Sequence, residues 1–168
     1  SAIILGYGVV LFESCVAASA YRRQVEVSML NPMARVMLGI MAFYLLVRFA
    51  DLIARGVLGQ AFQPSFIALT FWIENACFIA PFLLIRTVDA RRNPARLFLA
   101  GIAVMLGGIL LRLNGFLIAF DTGPGWTYFP SVPELLVTIG IFAAEVLGYI
   151  VITRRFPVLP REESYAQP

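Results

Sequence analysis

The sequence contains no histidine and no lysine, so all 13 of its basic side chains are arginines. Without histidine, this stretch of chain lacks the usual axial ligand of a b-type haem. The two cysteines, Cys15 and Cys77, stand singly inside apolar runs, whereas an iron–sulfur cluster needs a set of cysteines around it. We therefore expect these residues to bind no metal, no iron–sulfur cluster and no haem, and the absence of histidine predicts a protein without haem.

Charged residues of either sign are scarce. Only 14% of the residues are charged and 60% are hydrophobic, with a mean hydropathy of +0.84, whereas a soluble domain usually carries about 25% charged residues. The polar residues stand in short clusters between long apolar runs, so the folded chain needs lipid rather than water around it. The arginines lie mostly in these clusters, which is typical of topology signals and excludes nucleic-acid binding.

Five apolar segments are long enough to cross the hydrocarbon core of a bilayer, which takes about 20 helical residues. They cover residues 2–21, 34–54, 65–85, 95–120 and 133–153. We predict an all-α integral membrane bundle of about five transmembrane helices over residues 1–155, with a cytoplasmic tail over residues 156–168. Because the chain begins without methionine and without the basic region of a signal peptide, we expect it to be cut from a longer protein.

Arginines are unevenly distributed among the connections between these segments. They flank the first connection, the third connection and the C-terminal tail, whereas the second has Arg55 at its edge and the fourth has none. The arginines concerned are Arg22, Arg23, Arg35, Arg86, Arg91, Arg92, Arg96, Arg154, Arg155 and Arg161. By the positive-inside rule, the N-terminus of the chain faces the outside and its C-terminus the cytoplasm.

Several charged residues fall inside the predicted spans, although a charge near the centre of a membrane helix costs roughly 3 kcal/mol on insertion scales. They are Glu13, Arg48, Asp51, Glu74, Arg112 and Glu145, and Glu134 lies near the outer surface. The direction of each helix places Arg48, Asp51, Glu74 and Arg112 together in the outer half of the membrane. The i, i+3, i+7 spacing of Arg48, Asp51 and Arg55 puts these three on one face, and we expect that face to turn toward Glu74 and Arg112.

This buried charge layer has two explanations. The residues either pair only to fix the register of the helices, or they form a polar pocket or a proton route, since desolvation often offsets the attraction within a buried pair. The stripe of Glu134, Thr138, Glu145 and Tyr149 along the fifth span allows the same two readings, proton transfer or packing on a neighbouring helix. Gly101 and Gly108 share a face with Arg112 and predict close helix approach.

The fourth connection is rich in aromatic residues, among them Trp126, Tyr128 and Phe129. Aromatic side chains of this kind collect at the interface between membrane and water. They also anchor contacts between proteins. The pattern therefore fits either an aromatic belt or a docking surface for an external partner.

The chain resembles the membrane subunits of the NrfD/polysulfide-reductase family, and most closely the HybB type that accompanies nickel–iron hydrogenases. The resemblance lies in residues 8–14 (GVVLFES), 48–52 (RFADL), 71–75 (FWIEN), 111–115 (LRLNG) and 125–134 (GWTYFPSVPE), of which the last is the most specific. It extends through residues 156–160. It implies a subunit with about ten spans, of which this chain is the C-terminal half.

The resemblance also implies a role and a set of partners. Such subunits exchange electrons with a quinone, menaquinone or ubiquinone, near the outer surface of the bacterial inner membrane. The electrons pass through an external ferredoxin-like iron–sulfur subunit that is linked to the hydrogenase subunits. The charged residues named above coincide with the family's motifs and are implied to handle protons or to hold the bundle together, whereas the quinone site is expected mainly in the other half.

Two functions of other classes fit the composition as well. A secondary transporter also holds paired charges in the membrane, but it is usually built from broken helices or inverted repeats, and the sequence has no convincing repeat. A passive membrane anchor would use the charges for structure alone.

Overall fold

The computed structural model describes residues 1–118 and 130–156, and this part of the chain is helical, without a β-strand. Among these residues, five helices are long and apolar enough to cross a membrane, which confirms the all-α class and the predicted number of spans. They are α1 (Ala2–Ala20), α2 (Val27–Ala54), α3 (Phe66–Ile85), α5 (Pro94–Leu113) and α6 (Val132–Arg155), with α4 (Val88–Arg91) as a short helix between α3 and α5. A 3₁₀ helix, Leu58–Phe62, follows α2, and a π-helical turn, Asn114–Ile118, extends α5.

Helix α2 begins at Val27, earlier than the predicted start at residue 34, and it contains Pro32. Asn31 and Pro32 lie in the connection predicted between the first two spans, since proline removes a backbone donor and restricts the residue before it. Tertiary contacts override this preference. Leu30 and Ala34, on either side of Pro32, are buried in the core.

The chain forms two compact units, residues 1–121 and residues 122–168. In the first unit, α5 packs against both α1 and α3, and α2 contacts α1 and α3. The core between these helices consists of aliphatic, methionine and phenylalanine side chains, including Ile4, Leu11, Met37, Met41, Phe78, Leu97 and Val104. In the second unit, α6 begins beside Ser131, whose backbone N–H donates to Glu134 Oε2 at 3.0 Å, and it ends with Arg154 and Arg155.

Glycines allow α5 to approach its neighbours closely. A Cβ atom on Gly101 would lie 3.0 Å from the Gly8 carbonyl oxygen and 3.1 Å from the Phe12 backbone nitrogen, and one on Gly108 would lie 2.8 Å from Leu5 Cδ1. On the side of α3, a Cβ atom on Gly107 would lie 3.2 Å from Cys77 Cβ. The predicted close approach at Gly101 and Gly108 is confirmed. In a membrane, where lipid tails are as apolar as leucine, such contacts are a main source of helix association.

One arginine that was predicted only as a topology signal is buried. Arg91 is 5% exposed. Its Nε donates to Asn31 Oδ1 at 2.7 Å, and its Nη1 donates to the carbonyl oxygens of Ile85 and Arg86 at 3.0 and 2.9 Å. The last carbonyls of α3 would otherwise lack partners, and a cation at this end also complements the helix dipole. Arg91 therefore joins the end of α3 to the start of α2.

We expect Gly101→Ala to destabilise the protein by about 1–3 kcal/mol, because the added methyl group would meet backbone atoms of α1 that cannot move independently. Gly39→Ala is the matched control, since a Cβ atom there has no neighbour within 4 Å. Thermal unfolding of the purified protein in detergent, followed by circular dichroism, measures both variants. Equal melting temperatures for the two would contradict the close contact between α1 and α5.

Candidate functional site

The candidate site centres on Glu74, whose side chain is fully buried in the middle of α3. Helix α3 begins at Phe66, where the hydroxyl of Ser65 accepts a hydrogen bond from the Ala68 backbone N–H at 3.1 Å. This cap fixes the start of the helix and thereby the direction in which Glu74 projects. A carboxylate in this position needs donors from neighbouring helices, because its charge has lost its water.

Arg48 of α2 supplies the countercharge, and its Nη1 forms an ion pair with Glu74 Oε1. The same nitrogen donates to the Tyr44 hydroxyl oxygen at 3.1 Å. The guanidinium also lies 5.0 Å from the centre of the Phe71 ring. A carboxylate, a phenol and an aromatic face therefore hold one cation, and the pairing that was predicted between α2 and α3 is present.

Asn114 completes the coordination of the carboxylate. It stands at the first position of the π-helical turn after α5, and its Nδ2 donates to Glu74 Oε2 at 2.7 Å. Such turns are rare and often occur at functional sites. Both oxygens of Glu74 thus have partners, and the group joins α2, α3 and the extension of α5.

One amide oxygen within this group and one on the residue that follows Glu74 in the sequence lack a hydrogen-bond partner among the described residues. They are Asn75 Oδ1 and Asn114 Oδ1, and both atoms are buried. The Nδ2 of Asn75 is used, since it donates to the Phe71 carbonyl oxygen at 2.7 Å. Buried acceptors of this kind are normally satisfied by water or a ligand. Besides the ion pair, the site therefore offers two acceptor oxygens to which a bound water or ligand could donate hydrogen bonds.

Among the described residues of the first unit, the other predicted charges form no hydrogen bond or ion pair with Glu74. Asp51 and Arg55 pair with each other through a 2.8 Å contact between Oδ1 and Nε, and their side chains are 51% and 71% exposed. Of the three charges predicted on one face of α2, only Arg48 therefore pairs with Glu74. Asp51 and Arg55 are one helical turn apart and pair with each other at the surface. Arg112 and Glu13 are exposed and form no ion pair with any described residue. Glu134 and Glu145 lie on α6, in the second unit.

The aromatic residues proposed for docking, Trp126, Tyr128 and Phe129, lie outside the described residues. An aromatic contact that the sequence analysis missed lies in the second connection. Trp72 donates its Nε1–H to the Ala61 carbonyl oxygen at 2.8 Å and packs against Phe62, with ring centres 5.4 Å apart. Asn75 and Asn114 were missed too, although an amide inside an apolar span could have been flagged by the same reasoning as a charge.

The chain is similar to the "Probable Ni/Fe-hydrogenase 2 b-type cytochrome subunit" of Escherichia coli (strain K12), with 34% identity over 162 residues. The match covers 95% of this chain and 41% of the E. coli protein, so the chain spans less than half the length of this relative. The resemblance to the HybB type is thereby confirmed. No family model matches the chain. No solved structure matches it either.

The prediction that the protein has no haem is wrong. The relative is named a b-type cytochrome subunit, and that name points to haem in the E. coli protein. The prediction rested on the absence of histidine from these 168 residues, which cover only part of the relative. A haem with histidine ligands does not fit the side chains present here, so those ligands would have to come from the part of the subunit that this chain does not span.

We expect Glu74→Gln to destabilise the protein by about 3 kcal/mol, because it leaves the Arg48 guanidinium without its countercharge in a partly buried position. Combining Glu74→Leu with Arg48→Met removes both charges. The double variant should lose less free energy of unfolding than the Glu74→Leu and Arg48→Met variants lose in sum. Unfolding in denaturing detergent measures each variant.

Asp51→Asn is the control, since it removes one partner of an exposed pair and should cost under about 1 kcal/mol. Equal losses for Glu74→Gln and Asp51→Asn, or additive losses for the two changes at Glu74 and Arg48, would contradict the buried pair.

Proposed function

We propose that the chain is part of the membrane subunit of a HybB-type respiratory oxidoreductase complex. The observation that carries this proposal is the match of 95% of the chain to a hydrogenase subunit of E. coli. The five membrane-spanning helices fit that role. The activity and the partners of the complete subunit are inferred here from a relative of which the chain covers 41%.

In this proposal the subunit passes electrons between an external iron–sulfur subunit and a quinone in the membrane. The iron–sulfur subunit is ferredoxin-like and connects to the nickel–iron hydrogenase subunits. The quinone is menaquinone or ubiquinone. The aromatic residues Trp126, Tyr128 and Phe129 form the docking surface for the external subunit, because aromatic side chains at the membrane surface are suited to contacts between proteins.

We assign proton handling to the group around Glu74. Three features support this role: the carboxylate is fully buried, it pairs with Arg48, and the buried amide oxygens of Asn75 and Asn114 have no hydrogen-bond partner among the described residues. Water molecules on those oxygens would connect the carboxylate to a proton path. Arg112 and Glu13, which are exposed, and Asp51, Glu134 and Glu145 stay candidates for the same path or for contacts that hold the complete subunit together.

We place the protein in the inner membrane of a bacterium, with the N-terminus of the chain outside and its C-terminus in the cytoplasm. Residues 1–155 form the membrane-embedded part and residues 156–168 the cytoplasmic tail. The arginine distribution supports this orientation. Arg91 is bound to backbone carbonyls and has a structural role. Without it, Arg22, Arg23, Arg92 and Arg96 still give the connections assigned to the cytoplasm an excess of arginine.

The complete subunit should purify from membranes in mild detergent together with an iron–sulfur subunit and nickel–iron hydrogenase subunits, because those partners give a HybB-type subunit its electrons. Mass spectrometry of the purified material identifies them, and an unrelated membrane protein with the same affinity tag is the control. Purification of the subunit alone, combined with substrate transport in vesicles that contain no redox partner, would overturn the proposal in favour of a transporter.

A further inference from the structure

A groove with a volume of about 520 Å³ lies between the end of α1 and the start of α5. Its wall is mostly apolar, and one end is polar. The residues that matter here are Val16, Ser19, Arg23, Val25, Pro94 and Phe98. We call it the α1–α5 groove. On α1 its lining begins at Cys15, about one helical turn beyond Leu11, and continues toward the helix end that carries the arginines.

The backbone fixes the position of Arg23 at the polar end of this groove. Helix α1 ends in a turn in which the Arg22 N–H donates to the Ser19 carbonyl oxygen at 3.3 Å and the Arg23 N–H to the Ala18 carbonyl oxygen at 2.8 Å. Arg22 has a φ of 53°, the left-handed conformation for which glycine is usually chosen at this position. Arg22 therefore adopts a backbone conformation that would cost less free energy for glycine. The turn holds the next residue, Arg23, against the groove.

The surroundings of the polar end are positive. Arg22, Arg92 and Arg96 are exposed at the same ends of α1 and α5, and the start of α5 adds the positive end of its helix dipole. Glu26 and Asp89 are the acidic residues of the two connections. Phe98 lines the apolar part of the groove, and its ring stacks on Phe12 with the ring centres 5.4 Å apart.

We propose that the α1–α5 groove binds an anionic phospholipid. The lipid phosphate lies against the Arg23 guanidinium and the Ser19 hydroxyl, and an acyl chain follows Val16 and Phe98 toward the interior of the membrane. Arg23 comes three residues after Ala20, the last residue of a helix long enough to cross the bilayer, which puts its guanidinium at the level of lipid headgroups. A cation at the membrane surface above an apolar channel matches the layout of a phospholipid, and basic pockets between membrane helices bind such headgroups.

The test is native mass spectrometry of the complete subunit, purified in mild detergent and exposed to phosphatidylglycerol or phosphatidylcholine. We expect the wild type to keep phosphatidylglycerol and to lose phosphatidylcholine. Arg23→Gln should lower the retained phosphatidylglycerol about fivefold, the order of attraction of one arginine to an anionic lipid surface. Arg23→Lys keeps the charge and should retain most of the lipid. Arg22→Gln, beside it but outside the groove lining, is the matched control.

A melting experiment on the wild type needs no variant and stays informative if Arg23→Gln fails to fold. Phosphatidylglycerol in mixed micelles should raise the melting temperature, whereas phosphatidylcholine and inorganic phosphate should not. The proposal is overturned if Arg23→Gln and Arg22→Gln retain the same amount of phosphatidylglycerol. It is also overturned if the wild type retains no lipid, as it would with another segment of the subunit in the groove, or if inorganic phosphate alone reproduces the stabilisation.

Discussion

The need to neutralise one buried carboxylate determines how the helices of the first unit meet. Glu74 is fully buried, and a charge without water is tolerated only where donors surround it. Arg48 and Asn114 meet that need from two different helical segments, so the rotation of α2 and the end of α5 are fixed relative to α3. Close packing at Gly107 brings α5 near to α3, the helix that carries Glu74. At the C-terminal end of α3, Arg91 has the corresponding role for backbone carbonyls.

Much of this fold follows from residue patterns that act locally. The length of the apolar segments predicts the five spans. The glycines on one face of α5 predict its close contacts with α1. The start of α2 and the burial of Arg91 depend on tertiary contacts, which no local pattern contains. The pairing of Arg48 with Glu74 was within reach because charges in a membrane need partners. Asp51 and Arg55 share the same helical face by spacing, but a pair one turn apart is satisfied without a neighbouring helix, and spacing does not distinguish the two cases.

The haem prediction failed for a different reason. The absence of histidine is a property of these residues, whereas the name of the E. coli relative refers to a protein of which the chain covers 41%. A cofactor belongs to a complete subunit, and its ligands can come from helices that a given stretch of chain lacks. The same reasoning keeps the electron path and the quinone among the proposals, because both depend on partners and helices beyond this chain.

The group around Glu74 joins structure to function, since the contacts that hold α2, α3 and the end of α5 together also place the carboxylate beside Asn114, whose buried amide oxygen has no partner among the described residues. Quinone reduction by the purified complex that carries both Arg48→Met and Glu74→Leu separates the two roles. The double variant removes both charges, so that neither residue is left in the membrane as an unpaired charge. Our account predicts that this complex assembles but loses most of its quinone reduction. Assembly together with a wild-type rate would contradict it and would leave Glu74 with a structural role alone.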